Sequence, residues 1–181
     1  IEDRFGYIKI NQFQEKTGQD FKKILKKMEY ENQIQGLVLD LRNNPGGLLD
    51  QAVAVADEFI DSGLIVYTKG RREDQEMRFE AHKNDNPHKF PIVVIVNGGS
   101  ASGAEIVAGA LQDHKSALIL GTPTFGKASV QTLIPLEDGS GLRLTTARYY
   151  TPNGRSIQAK GLSLIHISDP TRPLYISYAV F

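Results

Sequence analysis

The sequence predicts an α/β fold of stacked βα units around a mostly parallel sheet. Three observations carry this reading. Continuous apolar runs at 36–41, 91–96 and 117–120 have the character of strands buried on both faces. Stretches with helical spacing of apolar residues lie between them. Glycine-rich turns at 41–47 and 96–102 lead from a strand end into a helix start. At roughly 100–200 residues per domain, 181 residues make one domain. With 40% hydrophobic and 23% charged residues the composition is that of a folded chain, not a disordered one. A net charge of zero argues against a nucleic acid or an anionic membrane as partner. The absence of cysteine removes disulfides, thiolate zinc sites and a cysteine nucleophile. No apolar run reaches the about 18–20 residues that cross a bilayer. The chain begins at Ile1 and reads as a piece of a longer protein.

Residues 5–10 alternate and are rich in β-formers, so they read as a strand. Thr17 is placed to cap a helix running to about Glu31. Phe21, Ile24, Leu25 and Met28 fall on one face of it, and Lys22, Lys23, Lys26 and Lys27 mostly on the other. The lysines read as a solvated face. Residues 36–41 form the first buried strand. The turn Arg42-Asn-Asn-Pro-Gly-Gly47 follows, then a helix over 48–61 that turns Ala52, Val55, Ala56, Phe59 and Ile60 inward. Gly63 ends that segment, and 64–69 reads as a strand. The polar stretch 71–89 contains an edge strand at 77–81. Residues 91–96 form the second buried strand, Asn97-Gly-Gly-Ser-Ala-Ser102 a turn, 102–112 a helix and 117–120 the third buried strand. A loop at 121–127 precedes two strands, 130–135 and 142–150, joined by the turn Glu137-Asp-Gly-Ser-Gly141. Residues 162–181 have no clear periodicity. They resemble the translated read-through of a sequencing adaptor, so they are expected to add nothing to the core.

Each glycine-rich turn can hold a phosphate or a developing oxyanion, because it opens a helix whose first N–H groups are free. Each can equally be a plain βα connection. Ser102 sits where the second turn meets its helix. There it is a capping residue, or a nucleophile whose attack product has the Gly103 N–H within reach. A serine nucleophile needs a base. Of the four histidines, His82 and His88 lie in the polar stretch, His166 in the terminal segment, and His114 at a helix end where it complements the dipole. Lys127, in Thr124-Phe-Gly-Lys127, is the better candidate base. It takes a proton only when neutral, which demands burial. The alternative is a surface lysine in a loop. The stretch Gly121-Thr-Pro-Thr-Phe-Gly-Lys127-Ala128 also nearly matches a phosphate-binding loop. Ala128 fills the hydroxyl position of that motif, and an alternating strand pattern follows where a helix is required. Arg42 and Glu105, one beside each turn, are expected to pair and lock the turns together.

Three segments together resemble the carboxy-terminal processing peptidases, the tail-specific serine proteases of bacterial envelopes and plastids. They are Asp40-Leu-Arg-Asn-Asn-Pro-Gly-Gly47, Val96-Asn-Gly-Gly-Ser-Ala-Ser102-Gly-Ala-Glu105 and Thr124-Phe-Gly-Lys127-Ala-Ser-Val-Gln131. The likeness runs from about Gly6 to Gly161, and Lys127 follows Ser102 by the family's 25 residues. It implies a crotonase/ClpP-like form of the α/β fold. The catalytic core would span 1–161, with a PDZ domain upstream in the full-length protein and 162–181 as a non-native tail. It implies Ser102 as nucleophile, Lys127 as general base and Gln131 as the residue that orients the lysine. The Gly103 N–H and one N–H from Gly46 or Gly47 would form the oxyanion hole, with Arg42 and Glu105 as structural support. The implied activity is cleavage of protein or peptide substrates near a nonpolar C-terminal tail through an acyl-enzyme. The implied setting is extracytoplasmic, with no metal, cofactor or nucleic acid and with a homo-oligomer compatible in the full-length protein. Three other classes fit parts of the pattern. A crotonase-type acyl-CoA enzyme would use the oxyanion turns without Ser102 and Lys127. A nucleotide binder would use the phosphate-loop-like stretch. A peptide-binding member of the same fold would not be catalytic.

Overall fold

The computed structural model describes residues 4–71, 76–84 and 87–162. It contains β1 (Phe5–Lys9), α1 (Thr17–Asn32), β2 (Gly36–Asp40), α2 (Leu49–Asp57), β3 (Gly63–Gly70), β4 (Met77–Ala81), β5 (Ile92–Val96), α3 (Gly103–Asp113), β6 (Leu118–Gly121), β7 (Ser129–Pro135) and β8 (Gly141–Tyr150). The α/β reading holds, with a second sheet added to it. One four-stranded sheet, in the order β1-β2-β5-β6, is parallel throughout; the other, in the order β4-β3-β8-β7, is antiparallel. The helices α1, α2 and α3 supply the crossovers that parallel strands require.

Local differences from the sequence reading have simple causes. Thr17 is the first helical residue rather than the cap. Its hydroxyl accepts the Gln14 N–H at 2.8 Å and so closes the preceding loop instead. The helix α2 stops at Asp57, four residues short of the expected end. The strand β6 is not buried on both faces. It is an edge strand, and Leu118 and Leu120 stand largely exposed with only Ile119 turned inward.

Leu37, Leu39 and Leu41 from β2 and its end, with Val94 and Val96 from β5, form the middle of the core. Ala52, Val55 and Ala56 of α2 cover it, as do Ala104, Val107, Ala108 and Leu111 of α3. Every residue of α3 from Gly103 to Leu111 is buried. A helix apolar on all sides belongs at the centre of a domain. Glu105 is the one charged residue in that stretch, and it is fully buried.

One boundary moves. The sequence reading puts Leu162 with the terminal segment, but Leu162 is a fully buried core residue that packs against Gly109 of α3. Residues 163–181, the rest of that segment, lie outside the described residues. Leu162→Ala should therefore destabilise the fold by about 2–5 kcal/mol, the usual cost of truncating a buried leucine. Denaturant unfolding measures this, and an unchanged midpoint would put Leu162 outside the core.

Candidate active site

The strands β2 and β5 are neighbours in register, Leu37 beside Ile92 through Asp40 beside Ile95. Their C-terminal ends therefore deliver the two glycine-rich turns side by side. The two turns converge, and hydrogen bonds lace them together. The Ala101 N–H donates to the Asn44 carbonyl at 2.9 Å. The Asn43 N–H donates to Asn97 Oδ1 at 2.9 Å, and Asn97 Nδ2 returns a bond to Asn43 Oδ1 at 3.0 Å. The buried Ser100 hydroxyl donates to the Leu41 carbonyl at 2.7 Å.

Gly46 lies directly against Ser102. A Cβ added to it would stand 2.7 Å from Ser102 Cβ and 2.8 Å from the Gly103 nitrogen, and its φ of +99° is itself unfavourable for any other residue. The N–H of Gly46 is already used, since it donates to Asn44 Oδ1 at 2.8 Å. No such partner engages the Gly47 or Gly103 N–H among the described residues. Asn44, which sequence reasoning passed over, is buried. It holds the first turn from inside, with its Nδ2 donating to the Ile10 carbonyl at 2.8 Å. An asparagine just before Pro-Gly is the sequence signal that could have revealed it.

Ser102 caps α3 with φ 52° and ψ −113°. A positive φ at a residue with a side chain costs about 1–3 kcal/mol and persists only where surroundings over-determine it. Glu105 does so here. Its Oε2 accepts the Ser102 N–H at 2.9 Å, the long half of a capping box. The same Oε2 accepts the Lys127 N–H at 2.9 Å, so the two backbone nitrogens are at most about 6 Å apart. Its Oε1 accepts the Gly126 N–H at 2.7 Å and the Thr124 hydroxyl at 2.5 Å. Thr124 Oγ1 itself accepts the Leu162 N–H, which directs the threonine proton towards Glu105. One buried carboxylate thus joins the Ser102 turn to the Lys127 loop through four donors.

This arrangement overturns the expected Arg42–Glu105 pair. Arg42 turns to Asp40 instead. Its Nε donates to Oδ1 at 2.9 Å, its Nη2 to Oδ2 at 2.7 Å, and its own N–H to Oδ1 at 2.9 Å. The reason is proximity: Asp40 ends β2 two residues away, in bidentate reach, whereas the acceptor positions of Glu105 are filled by Thr124, Gly126, Lys127 and Ser102. The Tyr7 hydroxyl, also missed in the sequence, donates to Asp40 Oδ2 at 2.6 Å. The Arg42 guanidinium holds the Asp40 carboxyl well below the usual carboxylate range, against the opposing effect of burial and with help from Tyr7. Accepting from Tyr7, Asp40 in turn raises the phenol.

Lys127 is half-buried. Among the described residues no hydrogen bond joins its side chain to Ser102 or to Gln131; the contacts run through its backbone. Gln131 is exposed on β7 opposite Thr145, just past a register shift between Val130 and Gln131. The strand β7 begins at Ser129, one residue before the start read from the sequence. That strand also disposes of the phosphate-loop reading, which needs a helix after Lys127. The described histidines go elsewhere: His82 to Asp57, His88 to Glu29 and His114 to the Leu64 carbonyl. His166 lies outside the described residues.

Residues 4–164 match the family described as Peptidase family S41. The chain is 50% identical over 184 residues to a protein of Bartonella bacilliformis named carboxy-terminal-processing protease, covering 99% of this chain and 42% of that protein. It is 39% identical over 181 residues to the carboxyl-terminal-processing protease of Synechocystis, covering 96% of this chain and 42% of that one. Among solved structures, the photosystem II D1 C-terminal processing protease superposes with a TM-score of 0.80 at 39% identity, over 88% of this chain and 41% of that chain. Mature CPAF, at a TM-score of 0.73 and 15% identity, shares the fold. The chain thus spans about two-fifths of the length of these curated relatives.

Two outcomes follow from the site. Gly46→Ala should cost about 1–3 kcal/mol of stability and displace Ser102, because the new methyl group meets backbone and Ser102 Cβ. Thermal unfolding and a crystal structure of the variant read both effects, and a variant equal to the parent in both would contradict the contact. The second outcome concerns acid. The folded-state pKa of Asp40 lies below its ordinary value of 3.8, so its contribution to stability is complete above that value and is lost as pH falls towards the folded one. Unfolding curves should show a loss below about pH 4 that Asp40→Asn lacks. Parallel pH profiles would refute the role of the pair.

Proposed function

The chain belongs to peptidase family S41, and on that premise we propose that it is the catalytic core of a serine peptidase that cuts proteins near a nonpolar C-terminus, with Ser102 as nucleophile and Lys127 as general base. The observation that carries this reading is the Glu105 carboxylate, which holds the Ser102 and Lys127 N–H groups on one oxygen atom. Two relatives bear names for carboxyl-terminal processing, which supports the substrate class. The activity belongs to the full-length protein.

In this mechanism Ser102 Oγ attacks the scissile carbonyl carbon, and Lys127 Nζ, neutral at that moment, takes the hydroxyl proton. The tetrahedral oxyanion is met by the Gly103 N–H at the positive end of α3 and by the Gly47 N–H. Gly47 is preferred over Gly46 because the Gly46 N–H is engaged by Asn44. The intermediate collapses, the C–N bond breaks, and Lys127 returns its proton to the leaving amine. Water then attacks the acyl-serine, with Lys127 again accepting the proton; the ester bond to Ser102 Oγ breaks, Lys127 returns the proton to Oγ, and the new carboxyl terminus departs. Gln131 orients the lysine in the substrate-bound state; the register shift beside it is a place where a strand re-aims a side chain. Glu105 is a positioning residue in this scheme. We further propose an extracytoplasmic setting, supported by bacterial relatives and an Arabidopsis relative named as chloroplastic. No helix among the described residues is long and apolar enough to cross a membrane.

Lys127→Ala in the full-length protein should lower peptide cleavage by on the order of 10³-fold or more with the thermal midpoint unchanged. Lys127→Arg should not rescue it, since a guanidinium does not give up its proton. Normal turnover by Lys127→Arg would sink the general-base role. Ser102→Ala should abolish labelling by a serine-reactive phosphonate. Labelling that persists in that variant would remove Ser102 as the nucleophile, and a parent protein that takes no label would favour an acyl-CoA enzyme or a non-catalytic binder.

A further inference from the structure

The loop that carries Lys127 is held from two sides, and Glu105 is only one of them. After β8 the chain turns at Thr151, where the Thr151 N–H donates to the Arg155 carbonyl at 3.1 Å, and then returns across residues 124–128. The Ala159 N–H donates to the Gly126 carbonyl at 2.8 Å, and the Thr124 N–H to the Leu162 carbonyl at 3.4 Å. The Leu162 N–H donates to Thr124 Oγ1 at 2.7 Å. Gly126 meets this segment backbone to backbone: a Cβ on it would lie 2.8 Å from the Gly161 nitrogen. At its other end the segment is tied to the C-terminal end of α3. Arg155 pairs with Asp113 there, and the Asn153 N–H donates to Asp113 Oδ2 at 2.9 Å. Ile157 and Leu162 bury their side chains in the core.

Within this segment one side chain reaches the backbone beside the lysine. Gln158 Oε1 accepts the Ala128 N–H at 2.9 Å. The consequence is geometric. Two rigid peptide planes flank each Cα atom, and their orientations fix the direction of its Cα–Cβ bond. For Lys127 the preceding plane is held at its N–H by Glu105, and the following plane is held at the Ala128 N–H by Gln158. Glu105 is anchored in the helix that begins at Ser102. Gln158 belongs to a segment anchored at the other end of that same helix.

We propose that residues 151–162 form a strap that sets where Lys127 stands relative to Ser102, with Gln158 as its positioning residue. The inference rests on the Ser102–Lys127 reading above and adds to it a residue outside the three motifs. The amide suits the task because its oxygen accepts the Ala128 N–H. A carboxylate in its place keeps the acceptor. Leucine of similar volume removes it and leaves the Ala128 N–H unmatched.

The test compares Gln158→Leu, Gln158→Glu and Lys127→Ala in the full-length protein, with steady-state cleavage of a nonpolar-tailed peptide and thermal unfolding. Gln158→Leu should lower kcat by about 10–100-fold, the order expected for a small misplacement of a catalytic group, with KM within about twofold and the fold intact. Gln158→Glu should keep kcat within about threefold of the parent. Gln158→Leu with parental kcat would overturn the proposal, as would a loss that Gln158→Glu does not recover. Should Gln158→Leu fail to fold, Gln158→Glu decides, near-parental kcat supporting the strap and a tenfold loss overturning it. Lys127→Ala separates the two levels: if it still turns over, the general-base reading fails, whereas if it is inactive while Gln158→Leu is normal, only the strap fails.

Discussion

A fully buried carboxylate with no cationic partner among the described residues is a severe constraint on a fold. Taking a charge out of water costs several kcal/mol, and the cost is offset only where hydrogen bonds fill its acceptor positions. Glu105 meets that condition with four donors from two segments, the turn at Ser102 and the loop 124–127. Hydrogen bonds to a charged acceptor contribute about 1.5–3 kcal/mol each, so the set is of the right size to offset the burial. The bonds are also directional. Each donor must arrive at a particular side of the carboxylate, and this sets the Ser102 turn and the Lys127 loop at a fixed separation. The strained φ of Ser102 and the irregular backbone before β7 both sit at the edges of this cluster.

The parallel sheet supplies what Glu105 then joins. Adjacent parallel strands end on the same side, so β2 and β5 bring two turns to one place, the position where open α/β sheets bind their ligands. Close approach of those turns depends on the missing side chain at Gly46 and on Asn44, which absorbs the N–H that Gly46 would otherwise leave unmatched. The Tyr7–Asp40–Arg42 network stiffens the end of β2 from the outer side. The Ser102 turn is thereby braced from β2, from α3 and from the Lys127 loop.

Much of this was legible in the residues. Apolar runs and helical spacing located the eleven described elements closely, because burial on both faces and amphipathic periodicity are local properties of the chain. The turns were legible through glycine and proline, whose backbone preferences are intrinsic. Ser102, Lys127, Gly46, Gly47 and Gly103 were singled out from motif and position. The pairing of Arg42 with Glu105 was misjudged because both candidates carry the right charges in the right turns. Sequence distance does not tell which carboxylate a guanidinium reaches. The edge position of β6 was likewise hidden, since an apolar run reads the same whether one face or both are covered.

By itself the sequence determined the order and type of the elements, the two glycine-rich turns and the candidate residues in them. These follow from side-chain periodicity and backbone propensity, which act over a few residues. Only the tertiary structure decided that the strands divide into a parallel and an antiparallel sheet. It alone decided that Asp40 rather than Glu105 takes Arg42, that Leu162 belongs to the core, and that Glu105 and Gln158 hold the two sides of Lys127. Those outcomes depend on which donors meet which acceptors once segments far apart in the chain are packed and water is excluded. That competition is settled by geometry in three dimensions and leaves no periodic trace along the chain.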